Sequence, residues 1–311
     1  MTPRVSVVMP VFNGARYIDS AIESILGQTY GDFEYIIVDD GSSDGTGELV
    51  EKWGGRDSRI RFLKGQHAGV TVALNQGLAD ASGEFVARMD ADDVALPRRF
   101  ENQVKYLDNS PNVVAVGTAI ELMDPEGESL CVQPWAENHE AIDEQLLRGK
   151  GGLSHPAAMI RRADLMNIGG YREEFRYAQD KDLWLRLAER GRLANLPDVL
   201  LRYREHSRGV GFEHVLEQKG ILLEILKDAY RRRGVDHPLP HFKVGSVLSQ
   251  AEQHRRWMKL ALRGGFYSTA LKHARASVAL EPSFRNRLRL LRFLRYPRAI
   301  VHVFLRKNLV L

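Results

Sequence analysis

The stretch "EFVARMDADDV", residues 84 to 94, ends an apolar run with three aspartates in four positions. Such a short apolar run predicts a buried strand. At ~5 Å and an effective dielectric constant of ~20, each pair among Asp90, Asp92 and Asp93 repels by roughly 3 kcal/mol before salt screening. Something must offset this repulsion, so the stretch is a candidate site.

Strand-like and helix-like segments alternate around this stretch. Helical spacing of apolar residues follows each of the first three strand-like runs. The four runs are "VSVVMPV" (5–11), "FEYIIVDD" (33–40), "IRFLKG" (60–65) and "EFVARM" (84–89). This alternation predicts βαβ units and a mostly parallel sheet.

The second half of the chain is less regular. Strands are predicted at 113–122, 155–162 and 199–206, and a helix at 181–191. Beyond about residue 213 only helical patterns occur, including two predicted helices around a Gly-Gly turn. One such hairpin resembles a single tetratricopeptide unit but does not make an array.

Polar groups follow three of the predicted parallel strands. They are "PVFNG" (10–14), the pair Asp39 and Asp40, and the acids of 90–93. Ligands of such sheets bind beyond the carboxyl ends of the strands. This convergence is the strongest argument for a site in the sequence.

The acids of 90–93 allow several interpretations. A solvated turn is one, and an EF-hand loop fails because Ala95 and Pro97 occupy positions that it cannot tolerate. A site for Mg²⁺ or Mn²⁺, held by one or two carboxylates and by substrate phosphates, remains. In an extended backbone Asp90 and Asp92 share a face, which leaves Asp93 opposite to cap the following helix.

Other polar residues are ambiguous. Asp39 and Asp40 suit either a turn with a helix cap or contacts to a base or ribose. No P-loop and no GxGxxG motif opens the first helix. Asp180 and Asp182 begin a predicted helix, where they either complement the helix dipole or supply a general base.

Histidines and arginines of the second half also have two interpretations. For His155 and His206 we favour structural, hydrogen-bonded histidines over ligands. Arg161, Arg162 and Arg204 either contact phosphate or solvate a face, and the latter is favoured.

Composition narrows the class of protein. The 311 residues are 44% hydrophobic and 27% charged, which is enough for one large domain and a smaller one. The single cysteine, Cys131, excludes an intramolecular disulfide and suits a reducing compartment. We expect neither a signal peptide nor a transmembrane helix.

Positive charge is concentrated at the end of the chain. After Glu281 the sequence has no acidic residue, and its basic residues there are Arg285, Arg287, Arg289, Arg292, Arg295, Arg298, Arg306 and Lys307. Arginine interleaved with leucine and phenylalanine favours an interfacial helix on an anionic membrane surface over a simple helical cap. No nucleic-acid-binding module accompanies the charge, so nucleic acid is not an expected partner.

Together these segments resemble the family 2 glycosyltransferases, which have the GT-A fold. The resemblance runs from about residue 4 to 210 and preserves the family's order of motifs. It rests on "VSVVMPVFNGARYIDSAIESILGQTY", "YIIVDDGSSDGT", "LNQGLADASGEFVARMDADDVALPRRFENQ", "HPAAMIRR", "IGGYREEF" and "QDKDLWLRLAERG". The resemblance implies an α/β catalytic domain over 1–212 and a helical C-terminal region over 213–311.

Roles for the nucleotide site follow from the resemblance. The positions that line the family's nucleotide pocket are Pro10, Val11, Phe12 and Asn13. The family usually has tyrosine at Phe12, so stacking is retained and a hydroxyl contact is lost. The resemblance also places Asp40, with Asp39 beside it, against a uracil ring.

The resemblance assigns the metal and the base as well. Asp92 would bind Mg²⁺ or Mn²⁺ bridging the donor diphosphate, and Asp90 would face the ribose or a metal-bound water. His206 lies in a segment similar to the family's loop near the donor phosphates. Asp180 falls on the catalytic base, although Gln179 precedes it where the family usually has glutamate.

The expected activity is inverting, metal-dependent transfer from a nucleotide sugar, with UDP as the favoured nucleotide. The expected acceptor is a hydroxyl of a polysaccharide or lipid-linked saccharide. The expected location is cytoplasmic, peripheral at the inner face of the cell membrane. Two alternatives stay open, a nucleotidyltransferase and a non-catalytic module that binds nucleotide or glycan.

Overall fold

A computed structural model describes residues 2–206, 215–242 and 248–282. Its sheet is built on the strands predicted for the first half of the chain, with further strands from the second half. The nine strands within the described ranges are β1 (Val5–Val11), β2 (Phe33–Asp39), β3 (Ile60–Lys64), β4 (Phe85–Arg88), β5 (Val94–Ala95), β6 (Val113–Met123), β7 (Ser129–Gln133), β8 (Met159–Arg161) and β9 (Arg192–Arg204).

The first four strands are parallel to one another, and β1 lies between β2 and β4. The sheet order is β3-β2-β1-β4-β8-β6-β9-β5, and β7 pairs with β6. Val11 is in register with Asp39 of β2, so both strands end at one edge. The later pairings β4–β8, β6–β8 and β5–β9 are antiparallel. The predicted α/β architecture is therefore confirmed.

Helices follow the strands where apolar spacing predicts them. Within the described ranges they are α1 (Ile18–Leu26), α2 (Thr46–Gly54), α3 (Val70–Asp80), α4 (Arg99–Asp108), α5 (His139–Leu147), α6 (Arg162–Asn167), α7 (Gln179–Leu187), α8 (Val215–Arg233), α9 (Gln250–Gly264) and α10 (Tyr267–Leu280).

Apolar periodicity decides which helix faces are buried. In α1 the buried side chains are Ile18, Ala21, Ile22 and Ile25, at the three- and four-residue spacing of one face. Strands β1 and β2 are buried along their whole length, as expected for parallel strands covered on both sides.

The chain divides into two compact units. Among the described residues, the first comprises 2–120, 134–203 and 216–242, and the second comprises 121–133, 204–206, 215 and 248–282. This division differs from the single boundary expected near residue 212. The difference arises because β6 and β9 each contribute residues to both units, and because most of α8 belongs to the first.

Polar contacts organise the second unit. Glu205 is buried and accepts hydrogen bonds from Arg256 and from Trp257, the latter at 3.0 Å. Asp124 is fully buried and pairs with Lys272 at 2.5 Å. The predicted hairpin is confirmed as α9 and α10, and Gly265, with φ +80°, ends α9.

Membrane attachment is not tested by the described residues. None of their helices combines the length and apolar character that a membrane crossing requires. The basic residues from Arg285 to Lys307 lie outside the described ranges.

Gly83 offers a test of the packing at the entry to β4. A Cβ atom there would lie 2.8 Å from the Ser6 nitrogen and 2.9 Å from the Arg4 carbonyl oxygen, which are backbone atoms that cannot turn aside. We expect Gly83→Ala to lower the free energy of unfolding by about 2–3 kcal/mol, measured by chemical denaturation.

Gly220→Ala is the matched control for this prediction. Gly220 is an exposed position of α8, and apart from the adjacent backbone of its own helix no atom of the described residues would lie within 4 Å of a Cβ there. This variant should be neutral or gain up to about 1 kcal/mol, since alanine favours the helix. Equal stability of the two variants would contradict the packing argument.

Candidate active site

The turn after β1 is held by side chains of the loop before α2. Phe12 is 48% exposed. Asn13 adopts φ +51°, and its N–H donates to the Ser42 hydroxyl at 2.8 Å. The Asp44 and Thr46 side chains accept from the next backbone N–H groups along the chain. Asp44 also accepts the N–H of Thr46, the first residue of α2, at 3.1 Å, so the same carboxylate serves both the β1 turn and the start of this helix.

Asp39 and Asp40 are both buried at the end of β2. The Asp39 carboxylate accepts the Ser42 N–H at 3.0 Å. The two oxygens of Asp40 accept the N–H groups of Ala68 and Gly69 at 2.7 and 2.8 Å. Both acids therefore shape the loops at this edge, as the turn interpretation expects, and their contact with a nucleotide stays a prediction.

An aromatic pair lies at the same edge. The rings of Phe12 and His67 are tilted by 31° with centroids 4.2 Å apart. His67 Nδ1 lies 3.9 Å from Asp40 Oδ2, and His67 adopts a left-handed φ of +55°. His67 was not predicted from the sequence, because only the folded loop brings it to Phe12.

The three acids after β4 converge on one point. Carboxylate oxygens of Asp90, Asp92 and Asp93 lie within 4.8 Å of one another. The backbone makes a turn here, and the Asp93 N–H approaches the Asp90 carbonyl at 3.4 Å. The expectation of an extended backbone with Asp93 on the opposite face is therefore wrong. Helix α4 begins at Arg99, and its N-cap residue, Arg98, makes no side-chain cap, so a cap by Asp93 stays a prediction.

Two buried arginines lie behind this acidic turn. Arg88 Nη2 donates to Asp90 Oδ1 at 2.6 Å, and the Arg88 side chain is 3% exposed. Arg99 is fully buried and donates to the carbonyls of Arg88 and Ala158 at 2.7 and 3.2 Å. Neither arginine was predicted from the sequence, although Arg88 was visible there as a charged residue inside a predicted apolar strand.

Burial and charge compete at this turn. Burial raises the pKa of Asp90, the charges of Asp92 and Asp180 add to the rise, and Arg88 opposes it. Burial also lowers the pKa of Arg99 to about 9, with Asp93 acting in the opposite sense. Because the charge of Asp180 acts on Asp90, we infer that Asp180 lies on the same side of the molecule as the acidic turn, and its role as base stays a prediction.

Helix α7 carries Asp180 in its first turn. Ala178 precedes the helix with φ +55°, and neither Asp180 nor Asp182 makes a side-chain cap. The Asp182 side chain is 1% exposed and pairs with Arg172 and Arg186. The Asp180 side chain is 26% exposed, so it is the one that a substrate can reach.

His155 is structural, as favoured from the sequence. Its Nε2 is 2.8 Å from the Tyr171 hydroxyl, and its ring packs edge-on against Trp184. Burial lowers the pKa of His155 well below its usual value, and the charges of Arg88 and Lys181 add to this. The histidine is therefore neutral.

The other ambiguous residues have other roles. Arg161 and Arg162 donate to the carbonyls of Val113 and Gly83 at 2.8 and 2.7 Å, so Arg161 ties β8 to β6 and Arg162 ties the start of α6 to the loop before β4. Arg204 donates to a carbonyl of its own unit. His206 borders residues 207–214, which are outside the described ranges, and its metal role stays a prediction.

The acidic turn suits a hard divalent cation. Its donors are carboxylate oxygens, which Mg²⁺ and Mn²⁺ prefer. It provides fewer ligands than such an ion requires, which agrees with sites completed by substrate phosphates.

A protein-family model and a named relative both match this chain. The sequence model described as "Glycosyl transferase family 2" matches residues 6–169. The O-antigen biosynthesis glycosyltransferase WbnJ of Escherichia coli is 33% identical over 208 residues, which cover 66% of this chain and 80% of WbnJ.

Solved structures share the fold. The mannosyltransferase PcManGT from Pyrobaculum calidifontis, in complex with GDP-Man and Mn²⁺, has a TM-score of 0.56 at 20% identity and covers 93% of this chain and 79% of its own. Staphylococcus aureus TarS 1–349, in complex with UDP-GlcNAc, has a TM-score of 0.57 at 20% identity and covers 88% and 83%. The family match over more than half of the chain and the identity to WbnJ place this protein among the family 2 glycosyltransferases.

Proposed function

We propose that this glycosyltransferase inverts the anomeric carbon of a nucleotide-sugar donor and uses Mg²⁺ or Mn²⁺. The observation that carries the proposal is the cluster of the Asp90, Asp92 and Asp93 carboxylates within 4.8 Å of one another, together with the charge of Asp180 on α7, which raises the pKa of Asp90 in this cluster. A cation-binding turn and an accessible carboxylate at one site are what metal-assisted transfer to a hydroxyl requires.

The donor is proposed to be a UDP-sugar. Phe12 offers an exposed ring on which a base can stack. Asp39 and Asp40 are buried acceptors at the same strand edge, beside Pro10, Val11 and Asn13. TarS binds UDP-GlcNAc and PcManGT binds GDP-Man, so the comparisons support a nucleotide sugar in general.

Asp180 is proposed as the general base. The acceptor hydroxyl oxygen forms a bond to the anomeric carbon while the bond from that carbon to the diphosphate oxygen breaks. Asp180 takes the hydroxyl proton, and the nucleoside diphosphate leaves with the bonding electrons. A single displacement inverts the anomeric configuration.

The acidic turn is proposed to hold the cation through Asp92, with Asp90 beside it and His206 as a further candidate. When bound, the cation neutralises the charge that develops on the leaving diphosphate. The chain's own contribution is to fix the turn on β4, where Arg88 and Arg99 keep it from opening under its own repulsion.

The acceptor is proposed to be a hydroxyl of a polysaccharide or a lipid-linked saccharide. WbnJ, named for O-antigen biosynthesis, supports this class. The basic segment from Arg285 to Lys307 supports a peripheral position on an anionic membrane surface, at the cytoplasmic face.

Asp180→Asn tests the base. The amide cannot take the hydroxyl proton, so we expect transfer to fall at least about a hundredfold while UDP affinity stays within about threefold. Transfer is measured by release of UDP and affinity by calorimetry. Asp236→Asn, at an exposed position of the same unit, is the control and should keep full transfer. Normal turnover by Asp180→Asn would overturn the base assignment.

Metal dependence has a direct test. Excess EDTA should abolish transfer, and Mn²⁺ or Mg²⁺ added beyond the chelator should restore it, since the leaving diphosphate needs a counter-charge. Released nucleotide is identified by chromatography. Full activity in chelator would remove the metal from the proposal, and release of pyrophosphate in place of UDP would indicate a nucleotidyltransferase.

A thermal-shift screen tests the nucleotide. With Mn²⁺ present, UDP-sugars should raise the melting temperature more than GDP- or dTDP-sugars at equal concentration, because a bound ligand stabilises the folded state. A larger shift with GDP-sugars would contradict the choice of UDP.

A further inference from the structure

Arg88 occupies an unusual place for a charged side chain. It is the last residue of β4, and its side chain is 3% exposed. Its Nη2 donates to Asp90 Oδ1 at 2.6 Å, and its Nη1 contacts the carbonyl oxygen of Met89. One guanidinium group therefore holds both a carboxylate of the acidic turn and the backbone that leads into that turn.

Burial of the Arg88 side chain leaves one of its hydrogen-bond donors unsatisfied. The third donor of this guanidinium, Nε, is buried and has no hydrogen-bond partner among the described residues. An unpaired buried N–H is unfavourable. A leucine or methionine would fill the end of a buried strand without that cost, so packing alone does not account for arginine here.

Arg88 also changes the charge that an incoming cation meets. The turn has three carboxylates within 4.8 Å of one another. Arg88 places one buried positive charge against Asp90, and Arg99, also buried, binds the carbonyl oxygen of Arg88. Part of the negative charge is thus balanced from inside the protein, and Asp90 already has a strong partner.

On the basis of the metal-dependent transfer proposed above, we propose that Arg88 is a positioning residue that holds Asp90 away from the cation. Asp92 is then the carboxylate on which cation binding depends, and the protein alone binds the cation weakly. Arg88 balances part of the negative charge of the acidic turn. The donor diphosphate brings negative charge of its own to the cation, so cation and donor bind together.

The test measures Mn²⁺ affinity of the full chain without nucleotide, by the electron paramagnetic resonance signal of free Mn²⁺ in a titration to millimolar concentration. Arg88→Gln removes a nearby positive charge and releases Asp90. We expect it to bind Mn²⁺ at least about tenfold more tightly than the unaltered protein. Arg88→Lys keeps the charge and should bind within about threefold of the unaltered protein.

Two double variants separate ligand from charge. Arg88→Gln with Asp90→Asn and Arg88→Gln with Asp92→Asn each remove one positive and one negative charge, so their net charges are equal. The Asp90 double variant should keep Mn²⁺ affinity within about threefold of the unaltered protein, because the side chain at position 90 is not needed as a ligand. The Asp92 double variant should lose at least about tenfold.

The same titrations show which proposal fails. Equal losses in the two double variants, or no tightening in Arg88→Gln, would overturn the role of Arg88. Retained affinity in the Asp92 double variant would instead remove the metal site of the proposed function. Thermal melting of each variant verifies folding, and the two double variants decide the matter if Arg88→Gln alone does not fold.

With the donor present, the affinities should converge. In saturating UDP, Arg88→Gln should bind Mn²⁺ within about threefold of the unaltered protein, since the diphosphate then supplies the missing negative charge. A tenfold difference that persists in UDP would contradict joint binding of cation and donor.

Discussion

The turn of three carboxylates depends on the buried guanidinium group of Arg88, which holds Asp90, and on the buried Arg99, which holds the backbone of Arg88. Arg88 holds the Asp90 side chain, and Arg99 binds the carbonyl oxygens of Arg88 and Ala158. The turn is thereby tied to β4 and to the segment that leads into β8. Without these cations, repulsion among the carboxylates would favour an open loop.

Backbone N–H groups play the corresponding role at the neighbouring strand edge. Asp40 accepts from the two residues that precede α3, and Asp39 accepts from Ser42. Loops that follow the strands carry backbone N–H groups outside the sheet, and buried carboxylates accept from them here. The side chains of Phe12 and His67 are exposed at this edge. The loops are thus fixed by charge and hydrogen bonding, while the surface available to a ligand stays aromatic.

Much of the fold was predictable because its signals are local. Apolar runs and helical spacing predicted β1 to β4 and the helices between them, and the Gly-Gly turn predicted the hairpin of α9 and α10. Predictions that depended on backbone direction failed. Asp93 was expected to face away, yet a tight turn directs it inward. The interleaving of the two compact units was also unpredictable, since it follows from strands that contribute to both.

The sequence by itself determined the class of fold, the family and the identity of the candidate acids, because strand periodicity, motif order and residue type are written along the chain. Only the tertiary structure decided how those acids are balanced. Arg88 and Arg99 are distant from Asp180 in sequence, and Arg88 lies inside an apolar segment. The effect of these arginines on the acids depends on burial and on distance in space. Electrostatic energy varies with separation and local dielectric, and neither quantity exists until the chain has folded.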